Sequence, residues 1–458
     1  MKPLAIELDD RAICLARRGR VLRNAPSAVF EPGAGEAAGT NAWGALRSRP
    51  MVTSTRHLGL LLAERDVSGR ARALVAGELA GCIAEHPLAE GERVWIAAPA
   101  RAQAHGLAAL LGIARDLSLP VDGFIDCAAV TVAALGLERN TIVLELGLHH
   151  AAATAVDADA GRARRRRTVL AERGGLIELY QAWLDFIGTT MVKRTRFDPL
   201  HDAATEQRLF DDLPALAREA AAGGTTTVVV AKGAEHTEVT LTRDQFALAA
   251  QRVYREVAGL LHELRPAGAP VTIVMPRAVA DLPGLRETVE QFAGCELVLV
   301  PDGFAGAATS LLDLPERPPE EDSVRLLRRL PLSAPPEQAI PRESLGTQRS
   351  AGSVPSHAMF DGRAYSLGEA PLVVGRAPGT PRSIALPDGL AGVSRRHCTL
   401  GHDCGELVLL DHSTFGTFVN GERVAERVRV HAGDKVRLGE PGVELALIAV
   451  GEVPVTRS

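Results

Sequence analysis

Aromatic residues are scarce in this chain, at 4% of 458 residues, while Ala, Arg and Gly are abundant. Neither sign of charge dominates: 51 Lys and Arg face 56 Asp and Glu, for a net charge of −5. That balance argues against a protein organised around nucleic-acid binding. No run of about 18 uninterrupted apolar residues occurs, so no membrane span is expected. The six cysteines (Cys14, Cys82, Cys127, Cys295, Cys398, Cys404) are scattered, a pattern that suits buried free thiols in a reducing compartment. Acidic Glu7 comes too early for a secretory signal, and a cytoplasmic location is expected. There is no serine in a nucleophile elbow and no P-loop lysine motif. A hydrolase or kinase site is therefore not expected.

What is present is enough chain for two or three domains. The clearest patterning lies between Phe360 and Val450. Short β-rich runs at Pro371 to Val374, His397 to Leu400, Leu407 to Leu410 and Val443 to Val450 are bounded by Gly, Asp or Pro. This is how an all-β sandwich reads. Between the runs fall polar islands: Gly375-Arg376, Ser394-Arg395-Arg396-His397, and Ser413-Thr414-Phe415-Gly416-Thr417 leading to Asn420-Gly421. Such islands belong on loops, where a rigid scaffold presents binding groups.

In order and spacing these islands resemble the forkhead-associated (FHA) domain, a phosphothreonine-reading β-sandwich. The resemblance implies a set of roles. Phosphothreonine needs a fixed guanidinium and short donors. Arg376 matches the phosphate-clamping arginine and Ser394 the hydroxyl that meets a phosphate oxygen. Arg395 matches a polar or basic contact, and Thr414 and Phe415 stand in the loop that touches the peptide. Gly375, His397, Gly416, Thr417, Asn420 and Gly421 match the residues that brace and shape those loops. One position departs from the family: Phe415 stands where Asn often grips the peptide backbone, and a phenyl ring offers no such hydrogen bonds. The implied partner is a threonine-phosphorylated protein, and through it a Ser/Thr protein kinase.

The first three hundred residues alternate strand-like and helical segments, which means α/β. Strands are expected at Leu4 to Leu15, Arg93 to Ala98, Thr141 to Gly147, Ala151 to Val156, Arg164 to Leu170, Thr225 to Ala231 and Val271 to Met275. Helices are expected at Ser68 to Ala84, Ala100 to Leu117, Asp126 to Leu137, Leu176 to Ile187 and Arg252 to Leu264. The order of these pieces resembles the actin, sugar-kinase and heat-shock-chaperone ATPase superfamily, whose two related halves each open with a phosphate-binding hairpin. The resemblance places nucleotide contacts at Glu7, Asp9 and Asp10, at Glu145 and Gly147, and at the pair Gly174-Gly175. Departures point to a degenerate nucleotide site. Asp9-Asp10-Arg11 replaces the small residues that let backbone N–H groups approach a phosphate. Glu7 and Glu145 replace the metal-orienting Asp, and Pro276-Arg277 replaces the adenosine glycines. No cofactor is expected, with ATP and Mg²⁺ the alternative.

The expected layout is an actin-like α/β domain at 1–314, a flexible Pro/Ser/charged linker at 315–359 in which the amphipathic piece Ser323 to Leu332 is a helical turn or docking segment, an FHA sandwich at 360–452 and a tail at 453–458. The sandwich is expected to move freely relative to the body. Thr347 in the linker, once phosphorylated, is a candidate occupant of the sandwich's own site. The run Arg164-Arg165-Arg166-Arg167 lacks interleaved aromatics and reads as a solvated, acid-paired face rather than a nucleic-acid patch. The function that follows is a non-enzymatic, phosphothreonine-dependent adaptor. The alternative is an ATP-binding chaperone-like or cytoskeleton-like switch that the sandwich localises.

Overall fold

A computed structural model describes residues 2–31, 33, 39–65, 67–232, 235–265, 271–292, 295–317, 324–333, 342–344, 354–387, 390, 392–403, 405–440 and 442–450. Thr347, Cys404 and the tail 453–458 lie outside the described residues.

The body is built twice on one plan. In the first lobe Leu4–Leu8, Ala12–Arg17 and Arg20–Pro26 form an antiparallel meander, and Val94–Ala98 and Val121–Asp126 continue the sheet parallel to Leu4–Leu8. In the second lobe Thr141–Leu146, Ala151–Asp159 and Arg162–Ala171 form the meander, and Thr272–Pro276 and Glu296–Val300 run parallel to its first strand. Both sheets thus place their own fourth and fifth strands on the far side of the first. The parallel strands Val94–Ala98 and Val121–Asp126 are buried along their whole length, as expected where helices cover both faces of a sheet. Helix Cys127–Ala134 is buried on every side but its last residue. It packs with Ala97, Val143, Val274 and Val298 in one cluster that joins the two sheets.

Most expected elements are present with shifted ends. The helix expected from Ser68 spans Gly69–Glu85, with the Ser68 hydroxyl accepting from the Ala71 N–H as its cap. The helix expected at Leu176 to Ile187 continues to Thr195. The sequence reading missed helix Ala203–Gly223 and strands Val121–Asp126 and Glu296–Val300.

The flexible linker needs correction where it is described. Arg325–Leu327 adds a strand parallel to Val121–Asp126 of the first sheet, and Arg329–Pro331 pairs antiparallel with Arg162–Ala171 of the second. Leu330 is buried. These consecutive strands strap one lobe to the other. Arg342–Ser344 closes the opposite edge of the second sheet against Glu296–Val300.

The C-terminal sandwich comprises a six-stranded and a five-stranded sheet around Val374, Ile384, Leu400, Leu409, Val436 and Leu447. Its first strand, His357–Phe360, starts on the linker side of the expected boundary. Free motion of the sandwich is also corrected. Met359, Ile448 and Val450 share a buried cluster with Val253, Val257 and Leu261 of helix Gln251–Leu264 in the second lobe. Gln291 Oε1 accepts from the Ala449 N–H at 2.8 Å, and Gln251 Nε2 donates to the Val450 carbonyl at 2.9 Å. Apolar burial and satisfied backbone groups together hold the sandwich in one orientation. No helix among the described residues is long and apolar enough to cross a membrane.

Candidate functional site

Three loops meet at one edge of the sandwich. The first leaves strand Leu372–Gly375. Its Arg376 N–H donates to the Ser394 carbonyl at 3.2 Å, and the Ala377 N–H donates to the Arg395 carbonyl at 3.0 Å. These two bonds zip the first loop to the second. Gly375 permits it: a Cβ there would lie 2.1 Å from the Arg395 carbonyl oxygen.

The second loop is fastened to the third through His397, whose side chain is fully buried. The Ser394 N–H donates to Nδ1 at 3.0 Å, and Nε2 lies 3.2 Å from the Gly416 carbonyl. Since Nδ1 accepts, Nε2 carries the hydrogen and donates. The geometry requires the neutral ring, and burial, its largest influence, holds the imidazole below its ordinary pKa. The Ser394 hydroxyl accepts from the Thr414 N–H at 3.1 Å, which leaves its own hydrogen available to an incoming acceptor.

The third loop is held from below by Asp411, which accepts from the Ser413 N–H at 3.0 Å and the Thr417 hydroxyl at 2.7 Å. Burial alone would raise this carboxyl, but the bonds from Thr417 and Ser413 outweigh it and hold it low. The Ser413 hydroxyl accepts from the Gly416 N–H at 2.8 Å. Asn420 and Gly421, at φ 53° and 89°, form the primed turn of the next hairpin. The Asn420 side chain ties that turn to the Lys435 N–H and to Asp434.

The structure therefore brings Arg376, Ser394, Arg395 and Thr414 to one surface, with His397, Thr417 and Gly416 beneath it. Phe415 stands out at 57% exposure. Sequence reasoning missed Arg423. Strand pairing sets it opposite Phe418, and a Cβ on Gly416 would lie 2.8 Å from its Nε. Arg376, Arg395, Arg396 and Arg423 are all exposed, and among the described residues none is held by an ion pair. In a chain with a net charge of −5 this edge is locally cationic. Two arginines beside a hydroxyl and free of carboxylates suit a phosphate.

The cleft between the lobes gathers the other candidates. Glu7, Asp9, Asp10, Glu145 and Gly147 all line it. Gly174 and Gly175 sit behind the second hairpin, where Gly175 caps helix Leu176–Thr195. The donors there are already engaged. Asp10 Oδ1 accepts from the Leu148 N–H at 2.8 Å, and Oδ2 accepts from the His149 N–H at 3.3 Å and lies 3.1 Å from His150 Nδ1, which also faces the Arg101 guanidinium at 3.1 Å. The first helical N–H groups, of Leu176 and Ile177, donate to the carbonyls of Gly147 and Leu148. The Gly306 N–H donates to Glu7 at 2.6 Å, and Arg11 bridges Asp9 and Asp302. Burial pushes Glu7 up to about 7 and Glu145 up to about 8. The cavity left is about 70 Å³, against about 300 Å³ or more for ordinary ligand pockets. These residues do not fit a nucleotide phosphate.

Two other clusters resolve structurally. Ser27 and Glu78 both meet the same nitrogen of buried His57, so the trio has no relay from hydroxyl through imidazole to acid. In the arginine run, Arg164 and Arg166 face Asp157, Arg165 pairs with Asp126 and Arg167 with Glu263.

Residues 372–439 match the family model described as the FHA domain. No curated protein matches the chain. The matched span runs from the strand before Arg376 to the end of the strand opposite Thr417, and so encloses all three loops. The match implies phosphothreonine-peptide binding in signalling for this part of the chain.

Proposed function

We propose that the chain is a non-enzymatic adaptor that captures a threonine-phosphorylated protein through the loops around Ser394. A second surface comes from the two-lobed body. The observation that carries this reading is the Ser394 hydroxyl. His397 fixes its loop and the Thr414 N–H occupies its acceptor side, so its hydrogen is left to donate beside Arg376. Arg376 is the phosphate clamp, Arg395 a supporting contact, and Thr414 the contact to the threonine or its phosphate. A Ser/Thr protein kinase supplies the mark. Phe415 gives an apolar contact to the peptide, and Arg423 takes over donation to its backbone. The repeated strand order of the body supports descent from the actin-like ATPase fold without its nucleotide function.

Titrating the full chain with a phosphothreonine peptide library and its dephosphorylated counterpart tests the reading. Selective binding of the phosphorylated library is expected. Equal binding of both would replace it with a scaffold for unmodified partners. The switch reading predicts a Mg·ATP-dependent rise in thermal midpoint.

A further inference from the structure

We propose that Asp10 is a resident ligand of the body. Its carboxylate fills an anion seat made by the hairpin 147–150 of the opposite lobe, so the lobes are held shut by the chain itself and need no nucleotide.

The seat has the composition of a phosphate loop. Two consecutive backbone N–H groups, of Leu148 and His149, converge on the two oxygens of one carboxylate, and Nδ1 of the His150 ring lies 3.1 Å from Oδ2 with the Arg101 guanidinium 3.1 Å from the same nitrogen. Consecutive N–H groups aimed at one anion are how backbone nests hold phosphate. Close approach is possible because position 147 is glycine: a Cβ there would lie 2.2 Å from Asp10 Oδ1. Asp10 is 4% exposed and His150 equally buried. Burial alone would raise the carboxyl, but the bond and charge of His150 and the Leu148 N–H outweigh it and hold Asp10 ionised. A free phosphate would have to displace Asp10 to reach the Leu148 and His149 N–H groups.

The bond is made across the cleft. Asp10 comes from the first hairpin of one lobe and the seat from the first hairpin of the other. The strap 325–331 pairs with both sheets in succession, and Arg165 of the second sheet reaches Asp126 of the first at 2.8 Å. These links act beside the Gly306–Glu7 and Arg11–Asp302 contacts and the shared apolar cluster, and all must break for the lobes to part. A body closed in this way presents one fixed geometry to the sandwich docked on its second lobe. The assignment is independent of the phosphothreonine reading.

The test uses the full chain, Asp10→Ala and Asp10→Asn, with Mg·ATP and with inorganic pyrophosphate as probes. In the wild-type protein neither probe is expected to shift the thermal midpoint or alter hydrogen exchange at Leu148 and His149. Asp10→Ala should lower the midpoint by several degrees and speed exchange at both amides. Pyrophosphate should then restore the midpoint in a concentration-dependent way by refilling the seat. Asp10→Asn keeps the shape but not the charge, and should melt between the two. If Asp10→Ala does not fold, exchange in Asp10→Asn decides: unchanged protection overturns the assignment. Binding of either probe by the wild type overturns it too, as does destabilisation of a folded Asp10→Ala that pyrophosphate does not relieve.

Discussion

The backbone N–H of Ser394 donates to Nδ1 of His397 at 3.0 Å, so the loop that offers the Ser394 hydroxyl is fastened to an imidazole sunk beneath it. Only an unprotonated Nδ1 accepts, and burial keeps the ring neutral. The folded pKa therefore lies below the unfolded value of about 6.5. Between the two values the unfolded chain binds more protons than the folded one, so stability rises with pH there and is lost as pH falls. The loops should loosen as the solution is acidified below about pH 6.5. NMR titration of the His397 ring checks this. A pKa above the free-histidine value would refute the tautomer assignment.

Arg376→Ala should remove most phosphopeptide affinity without unfolding the sandwich, because the side chain is exposed and only its backbone takes part in loop pairing. Losing a charge-assisted contact to phosphate costs about 1.5–3 kcal/mol, or roughly 10- to 150-fold in Kd. Ser394→Ala should cost a similar amount and also leave the Thr414 N–H without its acceptor. Calorimetry with one phosphopeptide, alongside circular dichroism, separates binding from folding. Unchanged affinity in Arg376→Ala would remove the phosphate clamp from the proposal.

Arg423 and Phe415 make a linked prediction. If Arg423 supplies the backbone donation that Phe415 does not, Arg423→Gln should weaken binding by about 1 kcal/mol, a typical net hydrogen bond. Phe415→Asn in that background should restore part of it. Gly416→Ala should mimic the arginine loss, since the added methyl would lie 2.8 Å from Arg423 Nε and Gly416 sits at φ 87°. A three-variant titration series reads the pattern. Equal affinities throughout would confine Arg423 to the hairpin.

Legibility divided along physical lines. The three loops of the sandwich edge could be placed because their geometry fixes residue type at short spacing: glycine for the close approach at Gly375 and for the positive φ at Gly416, and a hydroxyl at Ser394. Strands such as Val94–Ala98 and Thr272–Pro276 could be read because they are apolar runs, whereas Val121–Asp126, equally buried, was missed because two aspartates and a glycine interrupt its pattern. The strap was legible only in part: Ser323 to Leu332 reads as an amphipathic helical turn or docking segment, but Arg325–Leu327 and Arg329–Pro331 are too short and arginine-rich to read as strands. Their strand character comes from the sheet edges they complete. Asp10 was legible as a departure from a phosphate loop but not as its substitute. Its partners, at positions 148 to 150, are contributed by the opposite lobe, and only folding brings them to it. Arg423 carries no periodic signal, since it is one exposed arginine in a two-residue strand.

Docking of the sandwich predicts a compact particle. Small-angle scattering of the full chain should fit one arrangement of body and sandwich rather than an ensemble. Ile448→Asp should destabilise the full chain by about 3 kcal/mol or more, through a buried unpaired charge in an apolar cluster, because Ile448 is 3% exposed beside the second lobe. Scattering that requires a broad ensemble would return the sandwich to a tether.

The four arginines from 164 to 167 look equivalent in sequence, yet their surroundings demand different consequences. Arg164 and Arg166 reach Asp157 at 4.0 and 3.8 Å with most of their side chains in water, where such pairs contribute about 0–1 kcal/mol. Arg165 lies inward. Its guanidinium meets the buried Asp126 carboxylate at 2.8 Å and the Ala100 carbonyl at 2.7 Å. Asp126 also caps helix Cys127–Ala134 through the Ala129 N–H. Removing Arg165 would leave a carboxylate stranded between the lobes, a change that costs about 3–5 kcal/mol for buried pairs. Arg165→Ala should therefore shift the urea midpoint far more than Arg164→Ala or Arg166→Ala, which should each stay within about 0.5 kcal/mol of wild type. The double variant Arg165→Leu/Asp126→Asn should recover part of the loss, because the stranded charge is gone. Equal effects at all three arginines would mean that the run acts only as a solvated face and that Arg165 does not hold the lobes together.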